Sequence, residues 1–251
     1  MIYLRNLYLF LITSFTCLFT LLPALGNSFQ RESVCGNDDR RVVSFSPVGI
    51  ARELNPKDTS SYCTVTLVSD SCALSAGHCL HVLEEAEFFS SSAEFGDDLA
   101  SFKYSVVPGS VSALQSRIGN DWAVMRLQPN KLTGVLPGKV HGFVDVELNE
   151  QHESPNAIHT VSVQREKGNQ IEVLGADGSV LWTQGSIMFH DLDTDRGSSG
   201  SLIFDSVSGR AVAIHTHGGC DTMKNNKATY ISQLPFLVKA IQKCRAEEVG
   251  F

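Results

Sequence analysis

The chain is poor in the features that mark fibrous, membrane-surface and nucleic-acid-binding proteins. It has no internal repeat and no low-complexity tract, and only 19% of its 251 residues are charged. The formal net charge is −7 and no long basic run is present, which argues against nucleic acid or an anionic membrane as a partner. The hydrophobic share of 43% is ordinary for a globular protein. Length and composition predict one compact unit or two small barrels.

Metal-binding patterns are scarce as well. His215 and His217 could bind zinc, but no matched cysteine or aspartate accompanies them. We therefore expect no metal site and no cofactor.

The first 26 residues have the pattern of a secretory signal peptide. Arg5 is their only charge, an apolar stretch runs from Leu7 to Leu22, and small residues offer a cleavage point after Gly26. A retained anchor is the alternative, because the apolar stretch is nearly long enough to span a bilayer. The helix-breaking Pro23 favours cleavage. We expect a secreted or periplasmic protein with no membrane attachment once the signal is removed, and residues 27–33 as a short pro-segment.

Cysteine usage fits export. Seven cysteines are present, and six remain if Cys17 leaves with the signal peptide. An even number in an exported chain indicates three disulfides. Cys63 and Cys79 bracket a β-rich hairpin, and a bridge between them would stabilise the fold by about 3 kcal/mol.

Short β-rich runs separated by turn residues predict an all-β protein. The predicted strands are Arg41–Phe45, Tyr62–Val68, Phe102–Val107, Trp122–Leu127, Val140–Val146, Ala157–Gln164, Gln170–Leu174, Ser201–Phe204 and Ala211–His215. Gln128–Lys139 is a predicted linker. Leu234–Glu248 is the one predicted helix, with an apolar stripe of Leu237, Val238 and Ile241.

Three segments carry residue types suited to nucleophilic catalysis. In GSSGS, Gly197 lets its own amide and that of Ser199 point at one spot, where a carbonyl oxygen would gain charge. His78 follows a β-like run and a glycine, and Asp121 directly precedes the apolar run WAVMRL. Each residue alone has an ordinary structural explanation. Together, in the order His78, Asp121, Ser199, they predict a catalytic triad.

The segments SAGHC, DWAVMRL and GSSGS resemble the three signatures of the chymotrypsin-like serine proteases, and the order of the triad matches that fold. The segments VCGNDDR at 34–40, Asp193-Thr194 and AIHTHGG at 213–219 further resemble the bacterial glutamyl endopeptidases. Those secreted enzymes cut after Glu and less well after Asp. The resemblance runs from about Val34 to the C-terminal helix.

This resemblance implies two six-stranded antiparallel β-barrels in a protease domain over 34–251. The first barrel would span about 40–127 and the second about 140–233, with the C-terminal helix over 234–248. It also matches Cys63–Cys79 with the disulfide beside the family's histidine. The sequence leaves the other connectivities open, and we take them as Cys72–Cys244 and Cys35–Cys220.

The implied chemistry is peptide hydrolysis through an acyl-enzyme. His78 would be the base, Asp121 would orient it, Ser199 would attack, and the amides of Gly197 and Ser199 would form the oxyanion hole. Ser198 stands where the animal proteases have an aspartate that pairs with a newly cut N-terminus, so that ion pair cannot form. We expect a monomer whose partners are protein or peptide substrates.

The resemblance also assigns the specificity pocket. Thr194 and His215 would line it, where a hydroxyl and an imidazole, better if protonated, bind a carboxylate. In the family the mature N-terminal amine adds positive charge, and here that residue would be Ser33 or Val34. Asp193 is also assigned to the substrate pocket and leaves open a trypsin-like alternative, with cleavage after Lys or Arg. A non-enzymatic binding protein on a protease scaffold is the third hypothesis, which the intact triad disfavours.

Overall fold

The computed structural model describes residues 34–43, 50–53, 62–88, 103–165 and 171–250. Within these ranges the strands form two antiparallel sheets of seven strands each. The predicted signal peptide and pro-segment lie outside the described residues. No helix in the described part of the chain is long and apolar enough to cross a bilayer.

The N-terminal sheet comprises all the early strands except β1 (Arg41–Val42). Its strands are β2 (Ile50–Glu53), β3 (Thr64–Leu67), β4 (Cys72–Ser75), β5 (Glu85–Phe88), β6 (Lys103–Ser105), β7 (Ser112–Arg117) and β8 (Asn120–Arg126). They pair in the order β6-β5-β2-β3-β4-β8-β7. A bridge between Val106 and Leu127 brings the chain after β6 back to the end of β8, so the sheet curls around a buried core.

The C-terminal sheet closes on itself. Its strands are β9 (Ala157–Arg165), β10 (Ile171–Gln184), β11 (Ile187–His190), β12 (Leu202–Asp205), β13 (Ala211–His217) and β14 (Asn226–Tyr230), with β1 as an added edge. The order is β1-β10-β11-β14-β13-β12-β9, and β9 also pairs with β10, which completes a six-stranded barrel. The all-β prediction with two antiparallel barrels and a C-terminal helix is confirmed, with seven strands where six were expected in the first.

Three α-helices lie in the described residues: α1 (Pro137–His141), α2 (Cys220–Met223) and α3 (Pro235–Ala246). The predicted strand over Val140–Val146 is wrong. Pro137 at the first helical turn favours a helix, and Gly142 ends it with φ +76°. Only Val146 pairs, in a single bridge to Ala211.

Several strands were missed because their sequences lack a strand pattern. β7 is a mostly exposed, polar edge strand, and β10 continues well beyond the predicted segment over 170–174. The segment over 81–92 contains the end of a 3₁₀ helix (Gly77–Val82) and then β5, with 89–92 outside the described residues.

Disulfides and α3 tie the two halves together. The six cysteines of the described residues form three bridges, Cys35–Cys220, Cys63–Cys79 and Cys72–Cys244, which are the pairs expected from the sequence. Leu237 and Ile241 of α3 are fully buried in a cluster with residues of both sheets. The Glu248 carboxylate after α3 accepts the N–H groups of Ser71 (2.6 Å) and Cys72 (3.0 Å). The helix therefore docks on the N-terminal sheet.

Candidate active site

His78, Asp121 and Ser199 meet between the two sheets. His78 Nδ1 lies 2.7 Å from Asp121 Oδ2, and His78 Nε2 lies 2.9 Å from Ser199 Oγ. The His78 backbone N–H also donates to Asp121 Oδ1 at 2.8 Å. Asp121 is only 3% exposed, whereas 29% of the His78 side chain reaches solvent. The serine, imidazole and carboxylate thus form a continuous hydrogen-bonded line, and its imidazole is in part exposed to solvent.

The local sequence fixes the position of His78. It lies in the 3₁₀ turn Gly77–Val82, directly before Cys79, whose disulfide to Cys63 anchors the turn to the start of β3. A side chain on Gly77 would come within 2.9 Å of Asp121 Oδ1. Only glycine permits this approach, so the glycine before His78 brings histidine and carboxylate together.

Asp121 is held from the other sheet. Thr229 Oγ1 donates to the Asp121 carbonyl at 2.9 Å and accepts the Asp121 N–H at 3.3 Å. Thr229 lies on β14, whereas Asp121 lies on β8, so the two hydrogen bonds cross between the sheets. They fix the carboxylate against His78 without using its oxygens.

The loop with Ser199 is also fixed from both sheets. Thr64 at the start of β3 donates its N–H to the Ser199 carbonyl (2.8 Å) and its hydroxyl to the Gly197 carbonyl (2.7 Å). Gly200 donates to the His215 carbonyl at 2.9 Å. Gly197 and Gly200 adopt φ of +98° and +88°, which favours glycine at both positions.

This loop conformation leaves backbone donors beside the nucleophile. The Ser198 N–H is used by the Asp195 carbonyl (3.0 Å). None of the hydrogen bonds within the described residues uses the Gly197 amide. A side chain on Gly197 would collide with the Tyr62 ring and the Val163 carbonyl, so the loop needs glycine there. The arrangement suits an oxyanion hole made by the amides of Gly197 and Ser199.

A buried polar cluster forms around Thr194, on the segment that leads to Ser199. Asn226 Nδ2 donates to Thr194 Oγ1 (3.1 Å) and to the Leu192 carbonyl (2.8 Å), and its Oδ1 accepts the Gly219 N–H (2.9 Å). Because Asn226 donates to Thr194, the hydroxyl proton of Thr194 is left to donate elsewhere. Asn226 therefore links the Thr194 segment to Gly219.

His215 lies in the same interior. It is fully buried, and its Nδ1 is 3.2 Å from Nε2 of His190. Burial lowers the pKa of His215 well below its usual value and that of His190 to about 3, so both rings are neutral near pH 7. If His190 donates in this contact, His215 carries its proton on Nε2. His215 then offers a neutral N–H donor rather than a protonated imidazole.

Searches for similar proteins find relatives by structure only. No protein-family model matches the sequence, and a search of curated proteins finds no match. A solved Glu endopeptidase, in complex with MPD, superposes with a TM-score of 0.65 at 17% identity, over 84% of this chain and 98% of that one.

Two further solved structures have similar folds. A thermostable serine protease, AL20, from an extremophilic microorganism matches with a TM-score of 0.53 at 12% identity, over 80% of this chain and 95% of its own. The protease Anisep from Arthrobacter nicotinovorans has a TM-score of 0.53 at 16% identity, over 76% and 93%. The chain has the chymotrypsin-like serine protease fold. At these identities the likeness establishes the fold, and the activity is argued from the site.

The assignment of Asp193 to substrate binding is corrected by the structure. In this chymotrypsin-like fold Asp193 is 2% exposed, and its two oxygens accept the N–H groups of Cys35 (2.6 Å) and Asp39 (2.9 Å). Burial first, and then the charge of Asp193, raise the pKa of the Asp39 carboxyl beside it. Asp193 anchors the N-terminal segment against the pocket loop, together with the Cys35–Cys220 disulfide.

A chain of hydrogen-bonded polar side chains, the polar relay, lies under the Ser199 loop. The animal proteases form an ion pair with the new N-terminus at this place. Arg40 Nη1 donates to Gln164 Oε1 (2.6 Å), and Gln164 Nε2 donates to Ser162 Oγ (2.7 Å). Ser162 Oγ lies 3.2 Å from Ser198 Oγ, which accepts the Asp195 N–H (3.2 Å). The N-terminal segment is thus linked to the residue before Ser199 by neutral side chains and one guanidinium.

One set of potential metal ligands occurs in the described ranges, formed by Cys63, His78 and Cys79, with ligand atoms within 4.8 Å of one another. The two cysteines form a disulfide, so they cannot act as thiolate ligands. His215 and His217, the zinc alternative, have separate partners: His190 for the first and Thr216 Oγ1 (2.8 Å) for the second.

Sequence reasoning missed Asn226, His190, Gln164 and Thr229. None stands in a motif, and each reaches the site through strand pairing across long sequence separations. Their one shared signal is a polar residue within a β-rich run, which is common on solvated strands too.

Proposed function

We propose that this protein is a secreted serine endopeptidase that cuts peptide bonds after Glu and less well after Asp. One observation carries the proposal: His78 lies 2.9 Å from Ser199 Oγ and 2.7 Å from Asp121, in the chymotrypsin-like fold. A base within hydrogen-bonding distance of the hydroxyl, itself oriented by a buried carboxylate, is the arrangement that activates a serine.

The reaction follows from these contacts. Ser199 Oγ attacks the scissile carbonyl carbon while its proton passes to His78 Nε2. His78 then gives that proton to the leaving amine, and the C–N bond breaks to leave an acyl-serine ester. Water, deprotonated by His78, hydrolyses the ester and restores the Ser199 hydroxyl. Asp121 accepts the Nδ1–H throughout, which fixes the tautomer and stabilises the imidazolium.

The oxyanion is stabilised by fixed backbone donors. In this proposal the amides of Gly197 and Ser199 donate to the carbonyl oxygen of the substrate as it gains charge. Loss of one such donor costs about 10²–10³ in turnover in enzymes of this type. The glycine conformations at 197 and 200 and the contacts of Thr64 hold these donors in place before substrate arrives.

The pocket supports acidic specificity. Thr194 can donate its hydroxyl proton, because Asn226 donates to its oxygen at 3.1 Å. His215, neutral and in contact with His190, supplies an imidazole donor. Asp193, the group that would select Lys or Arg, is buried with both oxygens occupied. A pocket of neutral donors without an available carboxylate suits Glu better than a cationic side chain.

Export and processing belong to the same proposal. Residues 1–26 would be removed as a signal peptide and 27–33 as a pro-segment, leaving Ser33 or Val34 at the mature N-terminus. Cys35 is bonded through its N–H to Asp193, next to Thr194, so a new amine would lie near the pocket. N-terminal sequencing of the secreted protein identifies the cleavage point.

Active-site labelling tests the hydrolase directly. A fluorophosphonate probe should form one covalent adduct, on Ser199, in the wild-type protein. The Ser199→Ala variant should give none, since the nucleophile is absent, and Asp121→Asn should label far more slowly, with turnover down about 10⁴. A folded wild-type protein that gives no adduct would support the binding-protein alternative.

A further inference from the structure

Lys227 is a lysine that the fold buries without a partner. Only 6% of the residue is exposed, and burial lowers the pKa of its ammonium. Across the described ranges of the chain, no carboxylate or hydrogen-bond acceptor contacts Nζ. Lysines are almost never this buried unless they are paired, because an uncompensated charge in an apolar setting is costly. The free enzyme therefore holds a cation that an anionic ligand would stabilise.

The position of Lys227 on β14 places it on the side of the sheet that faces the triad. Its partner on β13 is His217, and cross-strand partners share a face. The His217 ring lies 6.1 Å from the ring of His78. Thr229, two residues along the same face, bonds to the Asp121 backbone. Lys227, His217 and Thr229 thus lie along one surface that leads to the catalytic residues.

The primary pocket lies on the other side of the same strand. Asn226 precedes Lys227, and successive side chains on a strand point to opposite faces. Asn226 points toward Thr194, with its amide 3.1 Å from the Thr194 hydroxyl. The side chain of Lys227 therefore leaves β14 on the face opposite to Asn226.

The space around the ammonium depends on Gly219. A Cβ at that position would lie 2.9 Å from Lys227 Nζ and 2.7 Å from the Asn225 carbonyl. Gly219 lies shortly after β13, which ends at His217, and its N–H donates to Asn226 Oδ1 (2.9 Å). A glycine thus makes room for the ammonium next to the segment that borders the pocket.

We propose that Lys227 forms a second carboxylate-binding subsite, which takes an Asp or Glu side chain of the peptide substrate at a position outside the primary pocket. The proposal rests on the proposed endopeptidase function. A substrate carboxylate supplies the missing counter-ion, and a charge-assisted hydrogen bond is among the stronger polar contacts. The protein then recognises acidic clusters in polypeptides rather than single acidic residues.

Paired peptides test the subsite. Each peptide carries one fixed cleavable residue, with Glu or Gln placed in turn at each of the four positions on either side, and only the cut after the fixed residue is counted. The wild-type enzyme should prefer Glu over Gln at one position by about tenfold or more in kcat/KM, since a hydrogen bond to a charged group contributes about 1.5–3 kcal/mol. Equal rates for Glu and Gln at every position would overturn the proposal.

Variants assign that preference to one side chain. Lys227→Met keeps the length and removes the charge, so the preference should vanish while the rate on the Gln peptide is retained. Lys224→Met, a nearby exposed lysine with the same charge change, should keep the preference. A preference that survives in a folded Lys227→Met protein contradicts the assignment. Where that variant does not fold, Lys227→Gln and Lys227→Arg provide the neutral and the charged comparison.

The test is independent of the primary specificity. If the enzyme cuts after a residue other than Glu or Asp, the proposed primary pocket fails, and the same series is built on the residue that is cut. If no turnover is seen, fluorescence anisotropy with the Ser199→Ala protein compares binding of the Glu and Gln peptides. Tenfold tighter binding of a Glu peptide, lost in Lys227→Met, supports the subsite, and equal binding rejects it.

Discussion

The role of each residue at this site depends on the groups that it contacts. Asp193 and Thr194 are neighbours in the chain, but the carboxylate faces the N-terminal segment while the hydroxyl belongs to the pocket wall. Asn226 decides the role of Thr194, because it donates to the threonine oxygen and so leaves the hydroxyl proton for a substrate. Chemistry at the residue scale therefore depends on the direction of each hydrogen bond.

Thr194→Val tests the pocket at this scale. The substitution keeps the shape of the side chain and removes the hydroxyl, so kcat/KM for Glu substrates should fall about 10–100-fold, given the usual 1.5–3 kcal/mol for a hydrogen bond to a charged group. Matched substrates with Ala before the cut bond should change little. Thr183→Val, at an exposed position on β10, is the control. Equal loss on both substrates would remove Thr194 from carboxylate recognition.

At the scale of elements, the N-terminal segment supports the catalytic loop. It is fastened by the Cys35–Cys220 disulfide, by Asp193 and by the pairing of β1 with β10. From there Arg40, Gln164 and Ser162 form a chain of hydrogen bonds to Ser198. The N-terminal segment, whose new end a processing step would create, is thus connected to the conformation of the Ser199 loop.

Gln164→Leu interrupts this relay without touching the triad. Ser162 loses the Gln164 donor and Arg40 loses one of its acceptors, so the loop should loosen and kcat should fall about tenfold with KM little changed. This is less than the about 10²–10³ that loss of an oxyanion donor costs. Steady-state kinetics measure kcat and KM separately, and Gln184→Leu, at an exposed position, is the control. A folded Gln164→Leu enzyme with normal kcat would show that the relay is only structural.

At the scale of the whole molecule, the site forms because specific contacts hold the two sheets together. Hydrogen bonds from Thr64 to the Ser199 loop and from Thr229 to Asp121 cross between them. On the side away from the triad, α3 and the Cys72–Cys244 disulfide hold the two sheets together. His190 and His215 are buried inside the second barrel. Burial lowers the pKa of both rings, so they are uncharged.

The buried histidines predict a loss of stability in acid. Burial lowers the pKa of folded His190 to about 3, whereas the unfolded chain has its ordinary value near 6.5. As the pH falls below 6.5 the unfolded state therefore binds the proton first, and by pH 5 this costs the fold about 2 kcal/mol.

Urea unfolding at pH 7.5 and pH 5 measures this loss. The difference between the two pH values should be smaller in His190→Gln by a similar amount, because the titrating group is gone. His81→Gln, which replaces an exposed histidine, should leave the difference unchanged. Identical pH dependence in wild type and His190→Gln would contradict the account.

The sequence predicts the parts of the site that lie in local motifs. His78, Asp121 and Ser199 stand in short segments whose glycines and apolar runs carry their own conformational reasons. The pocket is different, because Asn226 and His190 reach it through the pairing of β11, β14 and β13. The role of Asp193 depends on N–H groups more than 150 residues away in sequence. Such contacts leave no local pattern.

A cleavage-site profile tests the central claim most directly. The enzyme is incubated with a denatured protein mixture, and mass spectrometry identifies every new terminus, with the Ser199→Ala protein as control for contaminating proteases. The account predicts cuts after Glu, fewer after Asp, and none in the control. Cuts after Lys or Arg with Glu ignored would contradict the assigned pocket, and no cuts beyond the control would contradict the protease function itself.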